Sequence, residues 1–249
     1  MDKNTHFQFR LADILFDVLC CYESTKKLCT SYLAEGIPQI NIRITDADIE
    51  AERIRLLSKK NPGDALEAST PQLLERLVLC RMVARALPPL DRVLFHGSCL
   101  TYDGIAVLFT AKSGTGKSTH TRLWRQSFGE HVTMLNDDKP FLHIGKDSVT
   151  AYGSPWTGKH SLGSNIAAPL KAICFVCRSE ENWIEPADAR EAFTLLLQQT
   201  FTPEEPQALL QTLALVERMS RNVPFYRLHC NMDPQAAQVA LEGVSKKLN

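Results

Sequence analysis

The segment from Gly104 to Asp138 constrains the fold of this 249-residue chain more than any other. An apolar run from Ile105 to Phe109 predicts a buried strand. The loop AKSGTGKS, residues 111–118, follows, and then comes THTRLWRQSF, whose apolar spacing predicts an amphipathic helix. A strand, a glycine-containing loop and a helix in this order favour an α/β fold built around the loop.

The loop contains the residue types of a phosphate-binding loop. Glycines at 114 and 116 lack a Cβ, so consecutive backbone N–H groups can turn toward an anion, and the helix adds the unpaired donors of its first turn. Alanine at 111 departs from the glycine of the stricter pattern, and an ordinary turn before a helix is the alternative. The residues that we predict to bind nucleotide phosphates are Ser113, Gly114, Thr115, Gly116, Lys117, Ser118 and Thr119.

Two adjacent carboxylates follow the next apolar stretch. VTMLNDDKP, residues 132–140, predicts a second strand that brings Asp137 and Asp138 to the sheet edge beside the loop. Because neighbouring side chains point in different directions, one aspartate can serve Mg²⁺ while the other faces the nucleophile. An exposed Asn-Asp-Asp turn is the alternative.

Composition limits the partners and the compartment. The 28 Lys and Arg residues balance 28 Asp and Glu residues, which argues against a nucleic-acid partner. No apolar run approaches the roughly 20 residues needed to span a bilayer, and we predict a cytoplasmic protein without a signal peptide. Among the eight cysteines, Cys174 and Cys177 have the spacing of a metal or redox motif, but their apolar strand pattern predicts packing instead.

Turn-forming residues between Ser58 and Thr70 predict a domain boundary. Residues 1–68 then form a small N-terminal β-rich lobe, and residues 69–249 form the larger domain with the loop. Thr70 as N-cap and a proline at the first helical position predict a helix that opens the larger domain. Later patterns predict strands near 169–177 and 223–230 and helices at 188–199, 203–221 and 234–248.

Two further segments supply candidate site residues. The turn Asp103-Gly104 predicts a hairpin whose pairing folds His96 back toward the loop, although packing is the alternative. GSPWTGKH, residues 153–160, is non-periodic and predicts a functional loop, in which Lys159 contacts a phosphate or acidic substrate and Trp156 walls a pocket. The alternative is a surface loop whose tryptophan packs in the core. We interpret the helix residues His120, Arg122 and Arg125 as packing or solvated.

Together, His96-Gly97, AKSGTGKS and Asp137-Asp138 resemble the HPr kinase/phosphorylase family and, more distantly, the ATP-dependent phosphoenolpyruvate carboxykinases. The match runs from Arg92 to about Gly158. The resemblance implies an α/β P-loop kinase core with a mixed sheet and a small N-terminal lobe. It also implies Mg²⁺ and ATP, with another nucleotide or pyrophosphate as alternative donors.

The resemblance implies a role for each matching residue. Lys117 binds phosphate, Ser118 and one aspartate (Asp138 is our candidate) bind the metal, the other aspartate is the general base, and His96 lies near the reacting phosphate. The implied acceptor is a hydroxyl of a small molecule, a peptide or a protein. A nucleotide-binding regulatory or peptide-binding module and a carboxykinase-like enzyme are the alternatives, and a homo-oligomer stays open.

Overall fold

The computed structural model describes residues 4–58, 70–112 and 114–245. The chain divides into two compact units, Met1–Ala86 and Leu87–Asn249. The division therefore comes after a helix that we placed in the larger domain. Residues 59–69, which form most of the predicted boundary segment, lie outside the described residues.

The first unit contains a three-stranded sheet and three helices. The strands are β1 (Thr5–Leu11), β2 (Ile14–Cys20) and β3 (Ile40–Arg43), and the helices are α1 (Glu23–Leu28), α2 (Asp46–Ser58) and α3 (Pro71–Ala86). The strand order is β1-β2-β3, with β2 antiparallel to β1 and parallel to β3. Helices α1 and α2 and all three strands lie within residues 1–68, the segment that we predicted to be a β-rich lobe. The sequence analysis did not predict helix α2. A signal for its start was present, because Thr45 and Asp48 have the spacing of a helix cap, and the Thr45 hydroxyl donates a hydrogen bond to Asp48 at 2.6 Å.

A buried carboxylate explains why α3 belongs to the first unit. The helix begins as predicted, since the Thr70 hydroxyl accepts a hydrogen bond from the backbone of Leu73. Glu75, one turn later and fully buried, accepts hydrogen bonds from the backbone N–H groups of Cys21 and Tyr22 at 2.5 and 3.1 Å. Helix α1 has no side-chain cap of its own, so α3 supplies the capping group from the distant end of the unit.

The second unit contains nine strands and four helices within its described residues. The strands are β4 (Arg92–Leu94), β5 (Ser98–Tyr102), β6 (Ile105–Thr110), β7 (Val132–Asn136), β8 (Phe141–Ile144), β9 (Val149–Tyr152), β10 (Ala167–Arg178), β11 (Trp183–Pro186) and β12 (Phe225–Cys230). The helices are α4 (Lys117–Phe128), α5 (Ala189–Gln199), α6 (Pro206–Asn222) and α7 (Gln235–Ser245). Throughout the described chain, every helix is too short or too polar to cross a membrane.

The nine strands form one mixed sheet with helices on both faces. Its order is β4-β8-β9-β10-β6-β5-β7, and β12 pairs with β10 and β11. Strand β10 runs parallel to β6 and β12, whereas the other pairs are antiparallel. Leu108 of β6 packs in a cluster with α5 and α6, and its neighbour Phe109 packs with α4 and α7. Burial on both faces explains the uninterrupted apolar run, and the prediction of an α/β fold is confirmed.

The cysteines are dispersed through both units as thiols and not as disulfides. Cys174 is fully buried in the cluster beside α4 and α7, and burial raises the pKa of its thiol. Cys177 is only half-buried, and burial raises the pKa of its thiol as well. The part of the chain that the structure describes has no group of three or more His, Cys, Asp or Glu residues arranged to hold a metal ion.

Candidate functional site

The loop between β6 and α4 depends on glycine for its backbone conformation. Gly114 and Gly116 have φ of 77° and 127°, a region that side chains disfavour, and a Cβ at either position would meet nothing within 4 Å. The glycines are therefore required by the backbone conformation and not by crowding. Helix α4 starts at Lys117 with Gly116 as N-cap and without a side-chain cap, which leaves the N–H groups of its first turn to a ligand. Ser113 lies outside the described residues.

The side chain of Lys117 reaches back to the first residue of the loop. The Nζ of Lys117 donates a hydrogen bond to the carbonyl of Ala111 at 3.1 Å. Burial lowers the pKa of Lys117, and the nearby carboxylate of Asp138 acts in the opposite direction. The ammonium group thus lies within electrostatic reach of one of the two predicted aspartates.

A cleft of about 440 Å³, which we call the Asp138 cleft, gathers most of the predicted residues from four separate segments, although Thr115 lines a different cleft. The loop and α4 contribute Gly114, Gly116, Lys117, Ser118 and Thr119, and the rest of its lining is His96, Asp137, Asp138, Gly158 and Lys159. The structure therefore brings together cationic, hydroxyl and carboxylate side chains beside the glycine turn at the start of α4.

Asn136 at the end of β7 fixes the backbone turn that carries Asp138. Its Oδ1 accepts hydrogen bonds from the backbone N–H groups of Asp138 and Lys139 at 2.8 and 2.6 Å, which makes an Asx turn. Its Nδ2 donates to the carbonyl of Ser154 at 3.1 Å, so the turn is tied to the following loop. The turn is buried at Asn136, unlike the exposed turn that we had as the alternative. An asparagine directly before two aspartates was the available signal for this role.

The two aspartates have different surroundings. Asp137 is 6% exposed, and its Oδ1 accepts a hydrogen bond from the backbone N–H of Gly158 at 2.6 Å. Asp138 forms an ion pair with Lys139, and its Oδ1 lies 3.5 Å from the Nε2 of His96. Burial raises the pKa of Asp138, but the hydrogen bonds from His96 and Lys139 outweigh burial and hold that pKa at about 2. Asp138 is therefore ionised at neutral pH.

His96 reaches the cleft through the predicted hairpin. Strand β5 pairs with β6 from Ser98 opposite Phe109, and the turn at Asp103 and Gly104 has positive φ at both residues. The Nδ1 of His96 lies 3.1 Å from the Oε1 of Gln199 at the end of α5. Gln199 is 103 residues away, and the sequence offered no signal for this contact.

The loop of residues 153–160 places only one of its two predicted site residues at the cleft. Lys159 lines it. Trp156 is buried, and its ring centroid lies 6.0 Å from that of Phe141, so this tryptophan packs in the core as in the alternative interpretation. The loop lies close to the aspartates at Gly158, where a Cβ would come within 3.2 Å of the Oδ2 of Asp137.

A second cleft of about 500 Å³ adjoins the same loop, and we call it the Met232 cleft. It shares Gly114, Gly116 and Thr119 with the Asp138 cleft, and its remaining lining includes Val176, Arg178, Cys230 and Met232. The guanidinium of Arg178 donates to the carbonyls of Gly114 and Thr115, at 2.5 and 3.1 Å. The end of β10 thus supports the loop from a position that the sequence did not indicate.

His120 of α4 also lines the Met232 cleft. Its Nε2 accepts a hydrogen bond from the Nε1 of Trp124 at 3.0 Å. Burial lowers the pKa of His120 to about 3, so the ring is neutral and its proton is on Nδ1. Within the described ranges that buried Nδ1 has no hydrogen-bond partner.

Comparison with known proteins gives a distant structural similarity. No protein-family model and no curated protein matches the sequence. Among solved structures, the Hpr(Ser) kinase/phosphatase from Coxiella burnetii matches with 11% sequence identity and a TM-score of 0.35. The match covers 63% of this chain and 99% of that chain. The similarity is at the level of the fold.

Proposed function

We propose that the protein is a Mg²⁺-dependent kinase that transfers the γ-phosphoryl group of a nucleoside triphosphate, with ATP as the reference donor, to a hydroxyl acceptor. The observation that carries the proposal is that Lys117, Ser118, Asp137 and Asp138 line a single cleft beside an uncapped helix N-terminus. Phosphoryl transfer requires mainly positioning and charge neutralisation, which these groups supply.

Ser118 and Asp138 fit a magnesium ion. Mg²⁺ prefers oxygen ligands, and a hydroxyl and an ionised carboxylate line the same cleft. When bound there with the donor, Mg²⁺ would neutralise charge on the phosphate oxygens. In this assignment His96 and Lys139 keep Asp138 ionised and oriented.

Asp137 is the general base in this proposal. The acceptor oxygen attacks the γ-phosphorus, its proton passes to the Asp137 carboxylate, and the bond between the γ-phosphorus and the β–γ bridging oxygen breaks to release the nucleoside diphosphate. The Gly158 N–H holds one oxygen of the carboxylate, which orients the other. Lys117 and the first-turn N–H groups of α4 bind the donor phosphates.

The Met232 cleft favours a nucleoside triphosphate over pyrophosphate as the donor. It begins at the glycines of the phosphate loop and continues to Val176, Cys230 and Met232, which suit the faces of a nucleobase. His120 also lines this cleft, but its unpaired Nδ1 is buried and takes no part in this assignment.

The test is a thermal-shift series followed by a transfer assay. Wild type and Lys117→Ala are melted with ATP, GTP, ADP and pyrophosphate, each with and without Mg²⁺, and γ-labelled ATP is then offered with a panel of hydroxyl compounds and peptides. We expect a Mg²⁺-dependent rise in Tm that is largest for nucleoside triphosphates and absent in the variant, and label in at least one acceptor. Binding without transfer would favour a regulatory nucleotide-binding module, and no shift at millimolar ligand would overturn the proposal.

A further inference from the structure

A pocket next to the Asp138 cleft concentrates positive charge that the proposed transfer does not use. Its volume is about 270 Å³. It is lined by Ser118, Asp137, Arg122, Arg125, His160 and Leu162, and we call it the Arg125 pocket. It shares Ser118 and Asp137 with the Asp138 cleft, so the two cavities adjoin at the proposed general base.

The two arginines of this pocket have no partner in the described ranges. Arg122 and Arg125 are three residues apart on α4, a spacing that puts them on one face of the helix. The Nε of Arg125 is buried and makes no hydrogen bond there. A charged donor left unsatisfied in this way is costly, and in most proteins such a group has an acceptor. The whole chain has a formal net charge of zero, so general basicity does not explain this concentration of positive charge.

We infer that the Arg125 pocket binds the acceptor through a carboxylate or phosphate group while the acceptor hydroxyl faces Asp137. This inference rests on the proposed kinase function. Guanidinium groups pair with carboxylates and phosphates through two parallel hydrogen bonds. The carboxylate of Asp137, which lines the same pocket, repels an anion but accepts a hydroxyl proton, so the charges favour one orientation of the acceptor.

The size of the pocket limits what it can hold. A volume of about 270 Å³ corresponds to roughly nine water molecules at 30 Å³ each. It suits a group the size of one amino-acid residue. The acceptor is therefore a small hydroxy acid or phosphate ester, or a serine close to a carboxylate in a peptide.

The experiment measures acceptor binding with the donor site filled. The protein is saturated with Mg²⁺ and the β,γ-imido analogue of ATP, and calorimetry compares glycerol with glycerate and glycerol 3-phosphate. A second pair compares N-acetylglycyl-serine bearing a free carboxylate with its C-terminal amide, which separates a peptide source from a free hydroxy acid. We expect the anionic member of at least one set to bind 10-fold or more tightly than its neutral partner.

Variants connect that preference to the pocket. Arg122→Gln with Arg125→Gln should weaken binding of the anionic probe by about 10- to 100-fold and leave the neutral probe unchanged. Arg190→Gln, which removes an exposed arginine at the start of α5, is the matched control and should have no effect. Arg125→Lys keeps the charge and should restore part of the affinity. Unchanged affinity for the ATP analogue shows that each variant is folded.

The outcomes separate this inference from the proposed function. Failure of the wild type to bind Mg²⁺ and the ATP analogue would count against the kinase proposal itself. Normal binding of the analogue, with equal affinity for charged and neutral probes or with no probe bound, would overturn only the acceptor inference. A charge preference that persists in the double variant would also overturn it.

Discussion

The two clefts that share the loop before α4 differ in almost every side chain beyond that loop. The Asp138 cleft adds His96, two aspartates and Lys159, whereas the Met232 cleft adds Val176, Cys230 and Met232. Charged groups that lie close together interact strongly with a reacting phosphate but contribute little to the binding of an apolar ring. An apolar wall buries a ring but stabilises no developing charge. One loop can serve both needs because its glycines expose backbone on either cleft.

The histidines show the same contrast in a single residue type. His96, half-exposed, lies 3.5 Å from the ionised Asp138 and therefore has a carboxylate to interact with. His120 is buried between Phe109 and Trp124, with ring centroids at 4.7 and 6.5 Å, and burial lowers its pKa to about 3. We expect His120 to remain neutral at pH 7.

Replacing the proposed general base should reduce the rate of phosphoryl transfer more than any other change. Asp137→Asn keeps an acceptor for the Gly158 N–H but cannot take a proton, so we expect kcat to fall by roughly 10²- to 10⁴-fold. Affinity for Mg²⁺ and ATP should change little. Initial rates of phosphoryl transfer measure the effect, and Asp147→Asn in the exposed turn between β8 and β9 is the control. Full activity of Asp137→Asn would show that this carboxylate is not the base.

Removing the loop cation is the next largest change. Lys117→Ala removes a positive charge next to the transferred group, and we expect kcat/KM for ATP to fall by roughly 10²- to 10³-fold. Lys146→Ala, on the exposed turn after β8, should behave like wild type. Equal losses in both variants would mean that the effect is on folding, which the melting temperature without ligand would reveal.

The buried histidine of the Met232 cleft should make stability depend on pH. The unfolded chain binds a proton at His120 below about pH 6.5, but the folded chain does not until about pH 3, so the free energy of unfolding falls as the pH decreases through this window. From pH 7 to pH 5 the wild type should lose about 2 kcal/mol more than His120→Gln.

The free energy of unfolding is measured at each pH by urea denaturation monitored by tryptophan fluorescence. Trp124 is a suitable reporter because its indole donates a hydrogen bond to the His120 ring. The other histidines are common to both proteins, so their contributions cancel in the comparison. Parallel loss of stability in the wild type and in His120→Gln would mean that His120 can be protonated in the folded state.

Shortening an apolar side chain of the Met232 cleft should have the smallest effect on ATP binding. Met232 is 75% exposed, and a bound base would cover part of it. Met232→Ala should lower affinity for ATP by about 1 kcal/mol, or roughly 5-fold, and leave affinity for tripolyphosphate unchanged. Leu210→Ala, which trims an exposed residue of α6, is the control. An equal loss for both ligands would exclude the Met232 cleft as the base site.

Neighbouring residues were enough to predict the local parts of the site. The apolar run of β6, the two glycines with positive φ and the start of α4 follow from residue type and spacing. The Asp103-Gly104 turn fixed the hairpin register, and this register carried His96 to the loop. Each of these features depends on the backbone preferences of adjacent residues, which a sequence displays directly.

Contacts between distant segments were decided only in three dimensions. Gln199 beside His96, Arg178 under the loop and Glu75 at the start of α1 join residues 103, 63 and 54 positions apart. Burial of Trp156 against Phe141 likewise removed a residue that its loop had suggested for the site. The sequence by itself determined the strand, the glycine turn before α4 and the pair of carboxylates. Their partners depended on how the sheet and helices pack, because a hydrogen bond between remote segments has no local pattern that specifies it.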